Sequence, residues 1–313
     1  MYKNHKIGVV VPAYNEQKLI VPTLANMPAL VDQLFVVDDA STDETPICLR
    51  EISATDPRIQ VITHDANKGL GQTLIDGYLR SAESDVDITV VMAGDNQMDP
   101  ADLPVLLDQI VDEGYDYAKG NRLLHADVVR KMPLHRLIGN SALTFLTKFA
   151  TGFYFVMDPQ CGYTAIRNSC LKKIPIHRMT RGYGYNADIL CMLNVGRFKV
   201  TDVEVRPVYG EEKSKIKLWT YIPRTSTLLM RLFFRRLFKK YVILDLHPLV
   251  FFYLMSFILI PLGLYKGFLI YYMEYVQHIH VSEAALILAA LLNITGFQSL
   301  FFAIWFDSEN GKR

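Results

Sequence analysis

From residue 7 to residue 113, short β-branched runs alternate with longer stretches whose apolar residues recur every three or four positions. Residues 7–11, 34–38, 59–63 and 88–92 are rich in Val and Ile. Uninterrupted apolar runs of that length are the pattern of strands buried on both faces. Between them the spacing predicts helices over 16–30, 43–54, 70–83 and 101–113. Ser41 or Thr42 ahead of Asp43-Glu44, and Asp99 ahead of Pro100, read as helix starts. Strands alternating with helices imply a mostly parallel, doubly wound α/β sheet, which binds its ligand at the carboxyl ends of the strands. Here those ends carry acids and amides: Pro12-Ala13-Tyr14-Asn15-Glu16, Asp38-Asp39-Ala40-Ser41 and Ala93-Gly94-Asp95-Asn96-Gln97. Residues 120–215 are more mixed, with a basic stretch (Arg122, Arg130, Lys131, Arg136), a helix predicted at 134–151 and a late strand near 198–205.

The pattern changes after residue 218. Met230, Phe233, Phe234, Leu237 and Tyr241 share one face of a predicted helix, with Arg231, Arg235, Arg236, Lys239 and Lys240 on the other. A basic amphipathic helix of this kind lies in a membrane interface, its cations at headgroup depth. Two apolar stretches follow, 249–272 and 284–306, each reaching the roughly 20 residues a membrane span requires. Lys266, Glu274 and Glu283 are the charged residues between positions 248 and 306. Pro261 and Gly263 fall inside the first stretch, where a transmembrane helix tolerates them. Basic residues flank the pair on both outer sides, while the connection 274–283 has none. The positive-inside rule then predicts a hairpin with both ends in the cytosol. The predicted organisation is a catalytic domain over 1–217, an interfacial helix over 218–241, a transmembrane hairpin over 248–306 and a cytosolic tail over 307–313.

Composition sharpens this division. Lys+Arg number 33 and Asp+Glu 32, a formal net charge of +1, which argues against a nucleic-acid binder driven by bulk positive charge. Four cysteines (Cys48, Cys161, Cys170, Cys191) form no CxxC pair and show no metal-ligand spacing, so nothing points to a disulfide-stapled scaffold. The N-terminal apolar run is too short for a signal peptide, and the first domain is expected in the cytosol.

Either acidic cluster alone reads as helix capping. Asp38-Asp39 and Asp95-Asn96-Gln97 at the ends of two strands of one sheet make an oxygen-rich site suited to Mg²⁺ or Mn²⁺. Asn67-Lys68-Gly69-Leu70-Gly71 looks like a phosphate loop, but Leu74 occupies the third glycine position of the dinucleotide fingerprint. The loop is therefore expected to cap a helix beside the ligand.

These segments, taken in order with Gly120-Asn121-Arg122, Asp158-Pro159-Gln160-Cys161-Gly162-Tyr163 and Gly210-Glu211-Glu212-Lys213-Ser214-Lys215, resemble family 2 glycosyltransferases. The likeness covers residues 6–216 and is strongest to dolichyl-phosphate mannose synthases and bacterial polyprenyl-phosphate glycosyltransferases. It implies a GT-A-type, Rossmann-like sheet. It also implies an inverting transfer of a hexosyl-type sugar from a nucleoside-diphosphate sugar to a polyprenyl (dolichyl-type) monophosphate, at a lipid bilayer. By the same resemblance Pro12, Tyr14 and Glu16 line the nucleoside pocket, with Lys68 beside it, and Asp39 contacts base or ribose. Asp95 and Gln97 hold the metal on the donor diphosphate, and Arg122, Arg136, Lys213, Ser214 and Lys215 meet phosphates. One departure stands out: Ala93 occupies the first place of the family's Asp-x-Asp, which removes one metal ligand. Two other readings remain, a processive polysaccharide synthase and a non-catalytic lipid-linked binding subunit. The Gln-x-x-Arg-Trp motif of the former is missing, since neither Trp219 nor Trp305 follows Arg. Retention of Asp39, Asp95 and Gln97 counts against the latter.

Overall fold

A computed structural model describes residues 1–124, 134–182, 184–206 and 218–311, with helix backbone alone over 134–140 and 218–222. Lys213, Ser214 and Lys215 lie outside the described residues, as does the side chain of Arg136. The chain divides into two compact units, Met1–Phe233 and Phe234–Arg313.

The first unit is built on a seven-stranded sheet in the order β3-β2-β1-β4-β6-β5-β7. Its strands are β1 (Ile7–Ala13), β2 (Gln33–Asp38), β3 (Ile59–Thr63), β4 (Ile88–Val91), β5 (Tyr117–Asn121), β6 (Thr164–Arg167) and β7 (Val200–Glu204). All pairs are parallel except those of β6, which runs antiparallel to both β4 and β5. Apolar cores lie on both faces of the sheet: Val9 and Val11 pack among Ile20, Leu24, Leu106 and Leu107, whereas Val10 packs among Leu74, Tyr78 and Leu190. Two-sided burial is why the sequence shows continuous apolar runs in place of alternation.

The helices of this unit are α1 (Ile20–Ala25), α2 (Thr45–Thr55), α3 (Leu70–Glu83), α4 (Leu103–Val111), α5 (Leu134–Thr151), α6 (Asn168–Leu171) and α7 (Tyr185–Val195). Helix α1 is far shorter than the 16–30 expected. The backbone amides of Asn15, Glu16 and Gln17 are committed to Ser41 Oγ, Thr45 Oγ1 and Asp43 Oδ2, so the chain turns before it can coil. The start of α2 is also corrected: Asp43, not Ser41 or Thr42, accepts the amide of Thr45. Asp99 behaves as expected and accepts from Ala101 N at the head of a 3₁₀ turn, Pro100–Asp102, that leads into α4.

Helix α8 (Leu218–Phe238) runs from the first unit into the second. Its buried stripe is Leu229, Leu232, Phe233, Arg236 and Leu237, continuing through Lys240 and Tyr241. Met230 and Phe234, expected on the apolar face, are exposed. Arg236 is the clearest correction. Expected at headgroup depth, it is fully buried against Asp307, with Nη1 and Nη2 each 2.6 Å from a carboxylate oxygen. Tyr241 donates its hydroxyl to the same carboxylate at 2.7 Å, and Lys240 Nζ stands 5.1 Å from the Tyr241 ring centroid. A helical period that buries residues 229, 232–233 and 236–237 takes the arginine inward with its neighbours, and Asp307 supplies the countercharge.

The second unit contains α9 (Leu249–Tyr271) and α10 (Glu283–Gly311). With the turn that extends α9, the segments Leu249–Val276 and Glu283–Gly311 are long and apolar enough to cross a membrane. They form a candidate hairpin, and their side chains point mostly outward. The two helices approach closely where Gly296 meets the backbone of Ile260, the small-residue contact that spanning helices favour.

Candidate active site

The site begins where β1 and β4 diverge, the point at which strand order reverses. Such a crevice is where doubly wound sheets bind ligands. Two loops form its floor. The loop after β1 is locked to the loop after β2: Asp39 N donates to Ala13 O, and Asn15 Oδ1 accepts from Thr42 N. Asn15, Ala40 and Asn96 all adopt positive φ (57°, 57° and 56°), so the chain turns sharply just after each of the three strands.

A pocket of about 510 Å³ opens there. Pro12, Tyr14, Glu16, Asp39 and Asp95 line it together, with Ala93, Asn67, Gly69, Leu70 and Thr73 completing the wall. Five of the expected site residues therefore converge on one cavity. Lys68 and Gln97 are not among its lining residues: Lys68 reaches Asp39 through its backbone amide, and the Gln97 amide closes a turn onto Asp95 Oδ1 at 3.1 Å.

Asp39 is 3% exposed and heavily engaged. Its Oδ1 accepts from His64 Nδ1 (2.7 Å) and Lys68 N (2.8 Å), and its Oδ2 from Gly69 N (2.8 Å). Burial pushes its carboxyl up, but these hydrogen bonds outweigh burial and hold it below the usual carboxylate range. The glycines of the 67–71 loop now have reasons. Gly69, at φ +87°, turns its N–H onto Asp39, and a Cβ on Gly71 would sit 2.3 Å from the Thr180 carbonyl oxygen. As expected, the loop caps α3 beside the pocket.

Arg122 follows β5. Its Nε lies 2.8 Å from Asp158 Oδ2, and Nη2 lies 3.3 Å from Oδ1. The Asp158 side chain is nearly buried while that of Arg122 is 44% exposed, so the arginine is held from a fixed base at the surface. Burial raises the Asp158 carboxyl, yet Arg122 and Lys119 together bring it below its ordinary range. Beneath them Lys119, fully buried, donates to the Asp158 carbonyl oxygen, while Asp202 accepts from Asn121 and Met157 N. Burial drives the Asp202 carboxyl up. Sequence reasoning did not reach Lys119, Asp202, His64 or Asp76. All four are polar residues whose partners lie in other elements, and the one available signal was a lysine inside a strand segment. Among the described residues no group of three or more His, Cys, Asp and Glu is placed to hold a metal ion.

A second, smaller cavity of about 180 Å³ shares Leu70 and is lined by Leu143, Pro159, Tyr185, Leu228 and Leu229 among others.

Fold and pocket together define an α/β protein of the GT-A type, with one crevice at the switch point of its sheet. The sequence profile of glycosyl transferase family 2 matches residues 8–175, more than half of the chain, and the protein belongs to that family. It is a glycosyltransferase. Among its relatives, a UDP-N-acetylglucosamine–dolichyl-phosphate N-acetylglucosaminyltransferase of Methanococcus voltae is 28% identical over 218 residues, 66% of this chain and 86% of that protein. A polyprenol monophosphomannose synthase of Mycolicibacterium smegmatis is 29% identical over 208 residues, 63% of this chain and 75% of its own. The fold is shared with the glucosyl-3-phosphoglycerate synthase of Mycobacterium tuberculosis, crystallised with Mn²⁺, UDP and glucosyl-3-phosphoglycerate. That structure has a TM-score of 0.54 at 20% identity and covers 74% of this chain and 80% of that one.

Proposed function

We propose that the protein moves a hexosyl-type sugar from a nucleoside-diphosphate sugar to a polyprenyl monophosphate of the dolichyl type, with inversion at the anomeric carbon. The reaction takes place at the cytosolic face of a membrane, with the catalytic domain and both termini on that side. The observation that carries this reading is the pairing, in one chain, of a pocket rimmed by Asp39 and Asp95 with two helices suited to crossing a bilayer. Relatives named for transfer to dolichyl and polyprenol phosphates support the acceptor. The apolar cavity next to the pocket suits a lipid neighbour. Basic residues on the outer flanks of the hairpin, against a connection without Lys or Arg, support the orientation.

In this reading Pro12, Tyr14 and Glu16 flank the nucleoside, with Lys68 at its edge, and Asp39 accepts a hydrogen bond from base or ribose. Asp95 and the Gln97 amide oxygen hold Mg²⁺ or Mn²⁺. One carboxylate and one amide oxygen, completed by donor phosphates and water, form the oxygen-only set that hard cations take. When bound, such an ion neutralises charge on the departing diphosphate. Arg122, fixed by Asp158, adds a cation, and Arg136, Lys213, Ser214 and Lys215 are assigned to donor or acceptor phosphates. The acceptor phosphate is already anionic, so no strong general base is required. Rate then rests on alignment and on charge placed in advance.

The test is a panel of UDP- and GDP-sugars offered to full-length protein in vesicles. Release of nucleoside diphosphate is expected only when a polyprenyl phosphate is present, with one sugar added per lipid. Transfer to water-soluble acceptors alone, or growth of a polymer, would refute the reading.

A further inference from the structure

His64 stands at the carboxyl end of β3, where its amide extends the sheet ladder by donating to Asp38 O. Its ring is almost wholly enclosed and lies between two carboxylates. Nδ1 is 2.7 Å from Asp39 Oδ1, and Nε2 is 2.9 Å from Asp76 Oδ2 on α3. Asp76 is steadied in turn by Gln72, whose Nε2 donates to Oδ1 at 3.0 Å. The imidazole thus bridges two carboxylates, one at each ring nitrogen. No other element places a charged group against this ring through a hydrogen bond or ion pair among the described residues.

We propose that His64, braced by Asp76, is a positioning residue that fixes the carboxylate of Asp39 for a hydrogen bond from the nucleoside of the sugar donor. The proposal rests on the donor reading of the pocket. Each carboxylate oxygen has about two accepting directions. His64 and the Lys68 amide fill Oδ1, whereas Oδ2 takes one internal donor, Gly69 N. The remaining accepting direction of Oδ2 serves the pocket that Asp39 lines. Without the imidazole, two backbone amides alone would orient the carboxylate. The ligand class this arrangement recognises is a nucleoside offering an N–H or hydroxyl donor. Asp76 acts one step further out, by keeping the ring in its plane.

Two substitutions separate the contacts. In His64→Asn the side-chain amide nitrogen overlays Nδ1 and keeps the bond to Asp39. In His64→Gln it overlays Nε2 and keeps the bond to Asp76. Full-length protein in detergent micelles with Mn²⁺ is assayed for binding of UDP and of GDP, and for donor and acceptor KM. His64→Asn is expected to stay within about threefold of wild type. Loss of a hydrogen bond to a charged group predicts that His64→Gln weakens nucleotide binding and raises donor KM about tenfold or more, with acceptor KM unchanged. Equal donor KM for the two variants would overturn the proposal, because a purely structural role treats them alike. If neither variant folds, the ¹⁵N resonances of His64 in the wild-type protein decide. A shift of the Nδ1 resonance on nucleotide addition supports the proposal; no shift overturns it. If wild-type protein binds neither UDP nor GDP, the donor reading itself fails and the role of His64 falls with it. If wild type binds and His64→Gln binds equally well, this proposal alone fails.

Discussion

Replacing Asp307 by Ala would remove the carboxylate that both guanidinium nitrogens of Arg236 grip inside the second unit. Both nitrogens of the fork lie 2.6 Å from the carboxylate, both residues are fully buried, and the hydroxyls of Tyr241 and Tyr253 also donate to it. Removing one partner of a buried ion pair costs about 3–5 kcal/mol, mostly through desolvation of the charge left behind. Arg236→Met alone should cost a similar amount. The double substitution, Arg236→Met with Asp307→Leu, exchanges the pair for apolar volume but still leaves the Tyr241 hydroxyl without its acceptor, so it should lose clearly less than the sum of the two single losses without regaining wild-type stability. Tyr241→Phe removes one hydrogen bond to a charged acceptor, worth about 1.5–3 kcal/mol. The assay is unfolding in detergent micelles followed through the fluorescence of Trp305, which lies on α10 two residues before Asp307. With Asp307→Leu as the single variant at that position, wild type, the two single variants and the double form a closed cycle that gives the coupling directly. A double variant that loses the sum of the two single losses, or an Asp307→Ala protein that unfolds like wild type, would refute the reasoning.

Asp95→Asn should reduce turnover by two orders of magnitude or about that while leaving the melting temperature within a degree or two; wild-type turnover at saturating Mn²⁺ would remove Asp95 from the metal site. Gly71→Ala drives a methyl group into the Thr180 carbonyl and should destabilise the first unit by about 1–3 kcal/mol, read from thermal melts. Asp158 has its carboxyl held below the ordinary range, so its contribution is complete above about pH 4 and is lost as pH falls through its lowered value; Asp158→Asn should flatten the acid limb of a stability profile taken from pH 6 to pH 2. In a background without the four native cysteines, Gln277→Cys should react with an impermeant thiol reagent added outside sealed cells; reaction only from the cytosolic face would invert the proposed orientation.

The sequence made β1, β2 and β4 readable because they are buried on both faces and rich in apolar, largely β-branched residues. Strand β3, expected to be equally buried, is an edge strand in which only Ile59 is buried and Val61 is exposed, since no strand covers its outer side. It hid β5 and β6. Tyr117-Ala118-Lys119-Gly120-Asn121 carries a buried lysine and asparagine, and Thr164-Ala165-Ile166-Arg167 is too short to show a period. Asp39 and Asp95 were legible as acids at strand ends, whereas His64 has no local pattern. Its significance exists once α3 brings Asp76 alongside β3, a tertiary event that no periodicity records. Arg236 was misjudged for a related reason: a cation on an amphipathic helix reads as surface until a carboxylate 71 residues later neutralises it.

The reversal of β6 has a practical consequence for anyone who wishes to tag or rewire this enzyme. Because that strand runs against its neighbours, the segment before it, residues 158–163, joins the edge that carries Asp95 and Arg122, and the segment after it leaves by the opposite edge. The opposite edge also receives the turn at Gly114, which sits at φ +73° with open space where a side chain would project. A reporter peptide inserted at that turn would hang from the rim remote from the pocket. The same peptide placed between residues 158 and 163 would fall among the groups that position Arg122, so the direction of one four-residue strand separates a permissive graft point from a forbidden one.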